Sequence, residues 1–387
     1  MNSILSTDPA RAEAADTIQW TPRVGDHGSR AMEAPTRSKV LDAVRGLLIL
    51  YIVVVIHSLF WLNLLPEVLR SLLLFEMPAI FIASGYAYGL YEAASTGRQA
   101  RALDVRGYCR FLGVRAQRIL LPYLTYAAFC IVMIYSASRY SEYESYAFSD
   151  VALSWLNPFS YGVHHSVGWL NSHLWFIRLF LLVNLAMPLV TKLRPFRNPP
   201  LLGLAIVATA GLIVLTHVHF AREGLVKEFI FYLMFALLGY YLATRKEYFR
   251  RSNIRAVSIF AATSLTCIVI VAIVQRDIDI VNMQLNKFPP NYIFFLFTVL
   301  WISFFLGVLF KNQGFVARLE HVGESAWLRP FVSYGYSIYL WQGAAYTAAF
   351  YVGTRMGLPS LAIGVLAVAL SVGLGRLASP VEKVRWI

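Results

Sequence analysis

The stretch Leu41-Asp42-Ala43-Val44-Arg45-Gly46-Leu47-Leu48-Ile49-Leu50-Tyr51-Ile52-Val53-Val54-Val55-Ile56-His57 decides the fold. From Gly46 to Pro66 the chain carries no Asp, Glu, Lys or Arg. A helix needs about 20 mainly apolar residues to cross about 30 Å of hydrocarbon, so this run predicts a membrane span. Working outward, uncharged runs of sufficient length recur over 119–138, 198–221, 256–275, 288–310, 330–354 and 356–375, with a shorter one over 229–244. Two further apolar runs hold one charge each: 71–91 with Glu76, and 173–191 with Arg178. The expectation is an all-α polytopic membrane bundle of ten transmembrane helices.

Composition agrees. Of 387 residues 58% are hydrophobic and 14% charged, and the mean hydropathy is +0.58. Soluble domains carry about 25% charged residues, so an ordinary soluble enzyme is excluded. The net charge of +13 is spread between the apolar runs rather than gathered on one unit, which argues against a nucleic-acid partner and for basic loops beside a lipid bilayer. Cys109, Cys130 and Cys267 form no CxxC pair, and His164-His165 and His217-x-His219 lack further ligands at regular spacing, so no metal site is expected. Residues 1–38 hold no apolar run and read as a disordered cytoplasmic tail ahead of one membrane domain over 39–387. The long segment 139–172, broken by Asn157, Pro158, Gly162 and Gly168, reads as an interfacial or partly re-entrant loop.

Placing the N-terminus inside puts 17 Lys and Arg residues in the loops near 93–118, 192–200, 245–255 and 311–329, against seven in the opposite loops. That asymmetry predicts both termini in the cytoplasm and a multi-pass protein of the inner (plasma) membrane.

A charge at membrane depth costs at least about 2.5–3.5 kcal/mol by insertion scales, which makes each such residue a functional candidate. The set is small: Asp42, Arg45 and His57 on the first span, Glu76 on the second, His173 and Arg178 on the fourth. At about 100° per residue Asp42 and Arg45 share a face, and His57 lies about 18 Å further along the helix. Taken alone, Asp42 and Arg45 read more readily as an interfacial pair, and His57 as the cap of a helix–helix contact, than as a buried site. Glu76 stands two residues before Pro78 and needs a cationic partner or a proton. His57 is the expected partner, because the first two spans form a hairpin. Ser84-Gly85 suits close helix packing and lacks the GxSxG frame of a nucleophile elbow.

At this point the chain resembles the integral-membrane acyltransferase-3 family. The matching residues are Leu41-Asp42-x-x-Arg45-Gly46 with His57 downstream, Met77-Pro78-x-x-Phe81-x-x-Ser84-Gly85-Tyr86, the basic run into Arg118-Ile-Leu-Leu-Pro122-Tyr123, His173-Leu174-Trp175-Phe176, and Tyr336-Ser337-Ile338-Tyr339-Leu340. The resemblance spans roughly residues 38–385. It implies ten spans and acyl transfer from cytoplasmic acyl-CoA, acetyl-CoA in the first instance, onto sugars and other hydroxyl-bearing acceptors, with acyl-CoA as donor substrate and no permanently bound cofactor. Two departures stand out. The family usually places ten residues between the arginine and the histidine, whereas eleven stand here, Gly46 to Ile56. Eleven would leave the two side chains about 120° apart on a regular helix, so a π-bulge between Gly46 and His57 is predicted. Glu76 and Gln342 also occupy places where histidine is common in relatives.

Acyl transfer from a thioester to a hydroxyl needs a base near neutral pKa, an anion site for CoA and charge stabilisation. His57 suits the base and Glu76 its orienting carboxylate. Arg45, Arg115 and Arg118 suit the phosphates or pantetheine arm of CoA. His173, Trp175, Arg178 and Asp42 are the candidates for holding the acceptor, expected to be a carbohydrate such as an exopolysaccharide or another envelope glycan. The competing class is a secondary transporter or exporter, which should show two halves with matched hydropathy; here the charges cluster in the first four spans without an echo in the last five.

Overall fold

The computed structural model describes residues 38–96, 105–140, 146–160, 162–193, 224–245, 251–311 and 313–384. The chain enters the bundle at Ser38, whose hydroxyl accepts from Leu41 N–H and caps α1, Lys39–Trp61. A short α2 (Glu67–Ser71) leads into α3 (Glu76–Thr96), followed by the long α4 (Val105–Tyr140) and the short α5 (Phe148–Leu156). Then come α6 (Trp175–Val190), α7 (Gly224–Thr244), α8 (Arg251–Gln275) and a single turn, α9 (Met283–Lys287). The chain closes with α10 (Tyr292–Lys311), α11 (Gln313–Glu324), α12 (Arg329–Arg355), α13 (Ser360–Ala378) and α14 (Pro380–Lys383).

Among the described residues, seven helical stretches are long and apolar enough to cross a membrane: α1, Glu67–Ala93, Tyr108–Arg139, α7, α8, Tyr292–Leu309 and α13. α6 is shorter, at 16 residues. α12 is long enough at 27 residues but is kinked at Tyr334 (φ −143°, ψ 36°) and less apolar. Each expected span therefore falls on one of these helices except that over 198–221, which lies outside the described residues.

The first helix is the organiser. It packs against α12, α11 and α3, and its middle also meets α13. α12 and α13 form the most extensive hairpin, and α3 crosses α7 almost as closely. That second crossing depends on two glycines: a Cβ on Gly85 would lie 1.7 Å from Ala236 O, and one on Gly239 would lie 1.9 Å from Ile82 O. The small-residue contact expected at Ser84-Gly85 is thus realised at Gly85. Aromatic rings fill the space beside it, with Phe81 stacked on Tyr232 at 4.7 Å and Phe231 on Phe294 at 5.6 Å. α8 lies at the edge, packs mainly on α10, and turns Ile259, Phe260, Ile273 and Val274 outward, as a lipid-facing helix does.

The segment between α8 and α10 does not run free over the surface. Asn282 donates to Glu67 Oε1 at 3.0 Å and Met283 N–H to Ser71 Oγ at 3.0 Å, so the chain folds back onto α2. This places α9 inside the bundle and buries Asn286, Lys287 and Asn291.

Candidate active site

Residues 51–56 of α1 form a π-helical turn, as the eleven-residue spacing predicts. The backbone N–H of His57 bonds Ile52 O, five residues back, instead of Val53 O. The Val53 carbonyl is taken by Tyr346 of α12, whose hydroxyl donates to it at 2.7 Å. Ser58 Oγ stands 2.6 Å from the same hydroxyl and acts as its donor. On a regular helix the twelve steps from Arg45 to His57 would leave them about 120° apart; the π turn absorbs one residue and returns them to within about 20° of one face.

His57 is buried at mid-bundle, and α1, α12 and the turn before α6 supply its neighbours. Its Nδ1 donates to Gln342 Oε1 at 2.7 Å. This hydrogen bond fixes the tautomer and leaves the Nε2 lone pair for a proton. Trp61, one turn on, stacks on the ring with centroids 4.1 Å apart and planes 13° from parallel. An indole face so placed favours the imidazolium through its quadrupole. His173 lies edge-on at 6.3 Å. Its Nε2 donates to Leu340 O at 3.0 Å, and Tyr339 Oη donates to the His173 carbonyl at 2.6 Å. Gly343 makes room for this arrangement, because a Cβ there would lie 2.7 Å from His173 Cε1.

The expected bond between Glu76 and His57 is not formed. Glu76 Oε1 instead accepts from Lys287 Nζ at 3.0 Å, with both side chains almost completely buried. The reason is the fold-back of the 277–291 segment, which brings an ammonium to a carboxylate that could not remain ionised alone. Lys287 also sits over the Trp175 ring at 5.2 Å. Glu76 Oε2 and Tyr232 Oη are buried without a hydrogen-bond partner among the described residues. Arg178 finds its counter-charge in Glu228 Oε2 of α7, at 3.1 Å.

Nearer the start of α1, Arg115 interacts electrostatically with both Arg118 and Arg45. The three arginines expected at one anion site are thus brought to one end of the bundle. Glu382 of α14 joins them there, within range of Arg45's charge, and accepts from Ser337 N–H. Asp42 lies at this end as well, about 22 Å along α1 from His57; it is separated from His173, Trp175 and Arg178. A cavity of about 450 Å³ runs between α1, α3, α10 and α11. Its walls are almost wholly carbon, with Val44, Leu48, Ala83 and Leu306 among them, and Ser38, Tyr51 and Tyr86 are the hydroxyl-bearing residues of its lining.

Three residues of this site were not singled out as site residues from the sequence. Lys287 counted only as a loop charge and Glu228 only as the flank of a span; Gln342 was notable only as a departure from the pattern of relatives. Each meets its partner across more than 49 positions of sequence, and no local pattern announces such a meeting.

The model of the acyltransferase-3 family, described as an acyltransferase domain, matches residues 39–377. No curated protein and no solved structure matches the chain. The family match runs from the first residue of α1 almost to the end of α13 and includes every buried charged pair described above; the chain therefore belongs to the acyltransferase-3 family of membrane acyltransferases.

Proposed function

We propose that this acyltransferase moves an acyl group, acetyl in the first instance, from acyl-CoA to a hydroxyl of a carbohydrate such as an exopolysaccharide or another envelope glycan unit, in the inner membrane. Acyl-CoA reaches the end of the bundle marked by Arg45, Arg115 and Arg118, whose charges suit its phosphates. The acceptor approaches from the opposite end, past Trp61, Trp169 and His173. His57 Nε2 takes the hydroxyl proton as oxygen attacks the thioester carbon, and the new C–O bond forms. The C–S bond then breaks, the proton passes to sulfur, and CoA leaves as the thiol.

The observation that carries this reading is the 2.7 Å bond from His57 Nδ1 to Gln342, which leaves a buried imidazole with its basic nitrogen uncommitted to Gln342. The partner on Nδ1 is an amide and not a carboxylate, so charge support for the imidazolium falls to the Trp61 ring. Glu76 and Lys287 form a neutral pair that shapes the neighbouring wall without relaying charge. Mass spectrometry of envelope glycans, from cells with and without the gene and with His57→Ala or Arg45→Ala, tests the proposal. Loss of one acyl ester in the deletion and in His57→Ala is expected. Unchanged O-acylation in all three strains overturns it, and altered export of a small molecule alone points to the transporter class.

A further inference from the structure

Gln342 is fully buried, yet only half of its amide is used. Oε1 accepts from His57 Nδ1, while Nε2 has no hydrogen-bond partner among the described residues. A buried donor left in that state is costly and uncommon, and it calls for an acceptor the protein does not supply. Among the neighbouring polar groups, Tyr126 Oη donates to Leu170 O at 2.8 Å, His173 Nε2 to Leu340 O and Tyr346 Oη to Val53 O, while His173 Nδ1, like Gln342 Nε2, is buried without a partner among the described residues.

We propose that Gln342 is a catalytic residue whose amide N–H donates to the carbonyl oxygen of the acyl thioester. The inference rests on the reading of His57 as general base and extends it. One side chain then sets both the base and the electrophile. As the acceptor hydroxyl attacks, the carbonyl π pair moves onto oxygen, the hydroxyl proton goes to His57 Nε2, and the Gln342 N–H stabilises the oxyanion. When the π pair returns, the C–S bond breaks, and the proton on His57 passes to the departing sulfur. Loss of a single oxyanion donor lowers kcat by about 10²–10³.

The test uses the purified full chain in proteoliposomes, acetyl-CoA as donor and an envelope glycan extract as acceptor, with release of the CoA thiol and glycan acetyl ester both followed. Gln342→Glu keeps an acceptor for His57 and removes the amide donors; Gln342→Met removes both. The expected result is an unchanged KM for acetyl-CoA with kcat lowered about 10²–10³ in Gln342→Glu, and at least as much in Gln342→Met. Full kcat in Gln342→Glu with a displaced pH–rate profile, while His57→Ala is inactive, overturns the donor role and leaves the general base standing. Full activity in His57→Ala overturns the general-base reading itself. A readout independent of variants is the isotope-edited infrared stretch of the acetyl carbonyl of bound acetyl-CoA in the wild-type protein. A shift to lower wavenumber on binding is expected, and an unmoved stretch overturns the proposal.

Discussion

Deleting Val54 tests whether the π turn sets the face of His57. The turn spans Tyr51–Ile56, and Val54 is one of its residues outside the core. Twelve regular steps of about 100° put His57 about 120° from Arg45, whereas eleven put it about 20° away. Removing Val54 while the turn relaxes to an α-helix therefore keeps both faces where they are. The helix regains an ordinary i→i−4 bond, and Tyr346 loses its 2.7 Å bond to Val53 O, worth about 1 kcal/mol. Transfer of an acyl group to glycan by the deletion variant is expected within about threefold of wild type, with melting in detergent little changed. Inserting one alanine between Leu47 and Leu48 is the control, because it rotates His57 by about 100° and removes the base, a loss of about 10²–10⁴ in rate. If the deletion variant folds but is as inactive as the insertion, the geometric argument is refuted.

The remaining predictions concern the pairs and contacts that hold the site. Glu76→Gln and Lys287→Met singly should each destabilise by about 3–5 kcal/mol, as removal of one partner of a buried ion pair does, and the double variant by much less than their sum; additive losses in a detergent unfolding cycle would contradict the pairing. Gly85→Ala should abolish the folded fraction seen by size exclusion, because its Cβ would meet Ala236 O at 1.7 Å; a well-folded variant would show that α3 and α7 do not cross there. Glu382 lies after the last span, and burial, its largest influence, holds its carboxyl above the usual range. The folded state therefore binds this proton more tightly than the unfolded chain, so stability falls as pH rises through the ordinary carboxylate pKa of about 4.3 and toward the raised value. Glu382→Gln should flatten that part of the melting-temperature profile, and an unchanged slope would remove Glu382 as its source.

The sequence made the helices legible wherever an apolar run met the length of the bilayer, because lipid forces backbone groups to be satisfied within each segment. It also made the π turn legible, since an extra residue between Arg45 and His57 has only a few ways to be absorbed in a helix. Arg178 announced its need for a counter-charge but not that Glu228 supplies it. The partner of Glu76 was out of reach for a different reason. Lys287 stands 211 positions away in a segment whose inward fold depends on Asn282 and Met283 meeting α2. Local charge and hydropathy read such a lysine as solvated, and only the packed structure shows it buried. Gln342 illustrates the same limit: an amide in an apolar helix gives no sign of its partner until α1 and α12 come together.

Acyl transfer by the purified protein in sealed proteoliposomes tests the central claim most directly, with labelled acetyl-CoA on one side and the glycan acceptor on the other. Label should appear on glycan with the wild-type protein when donor is present at the Arg45 end, and should fall by at least about 10²-fold in His57→Ala of unchanged melting temperature. Equal labelling by wild type and His57→Ala would contradict the account.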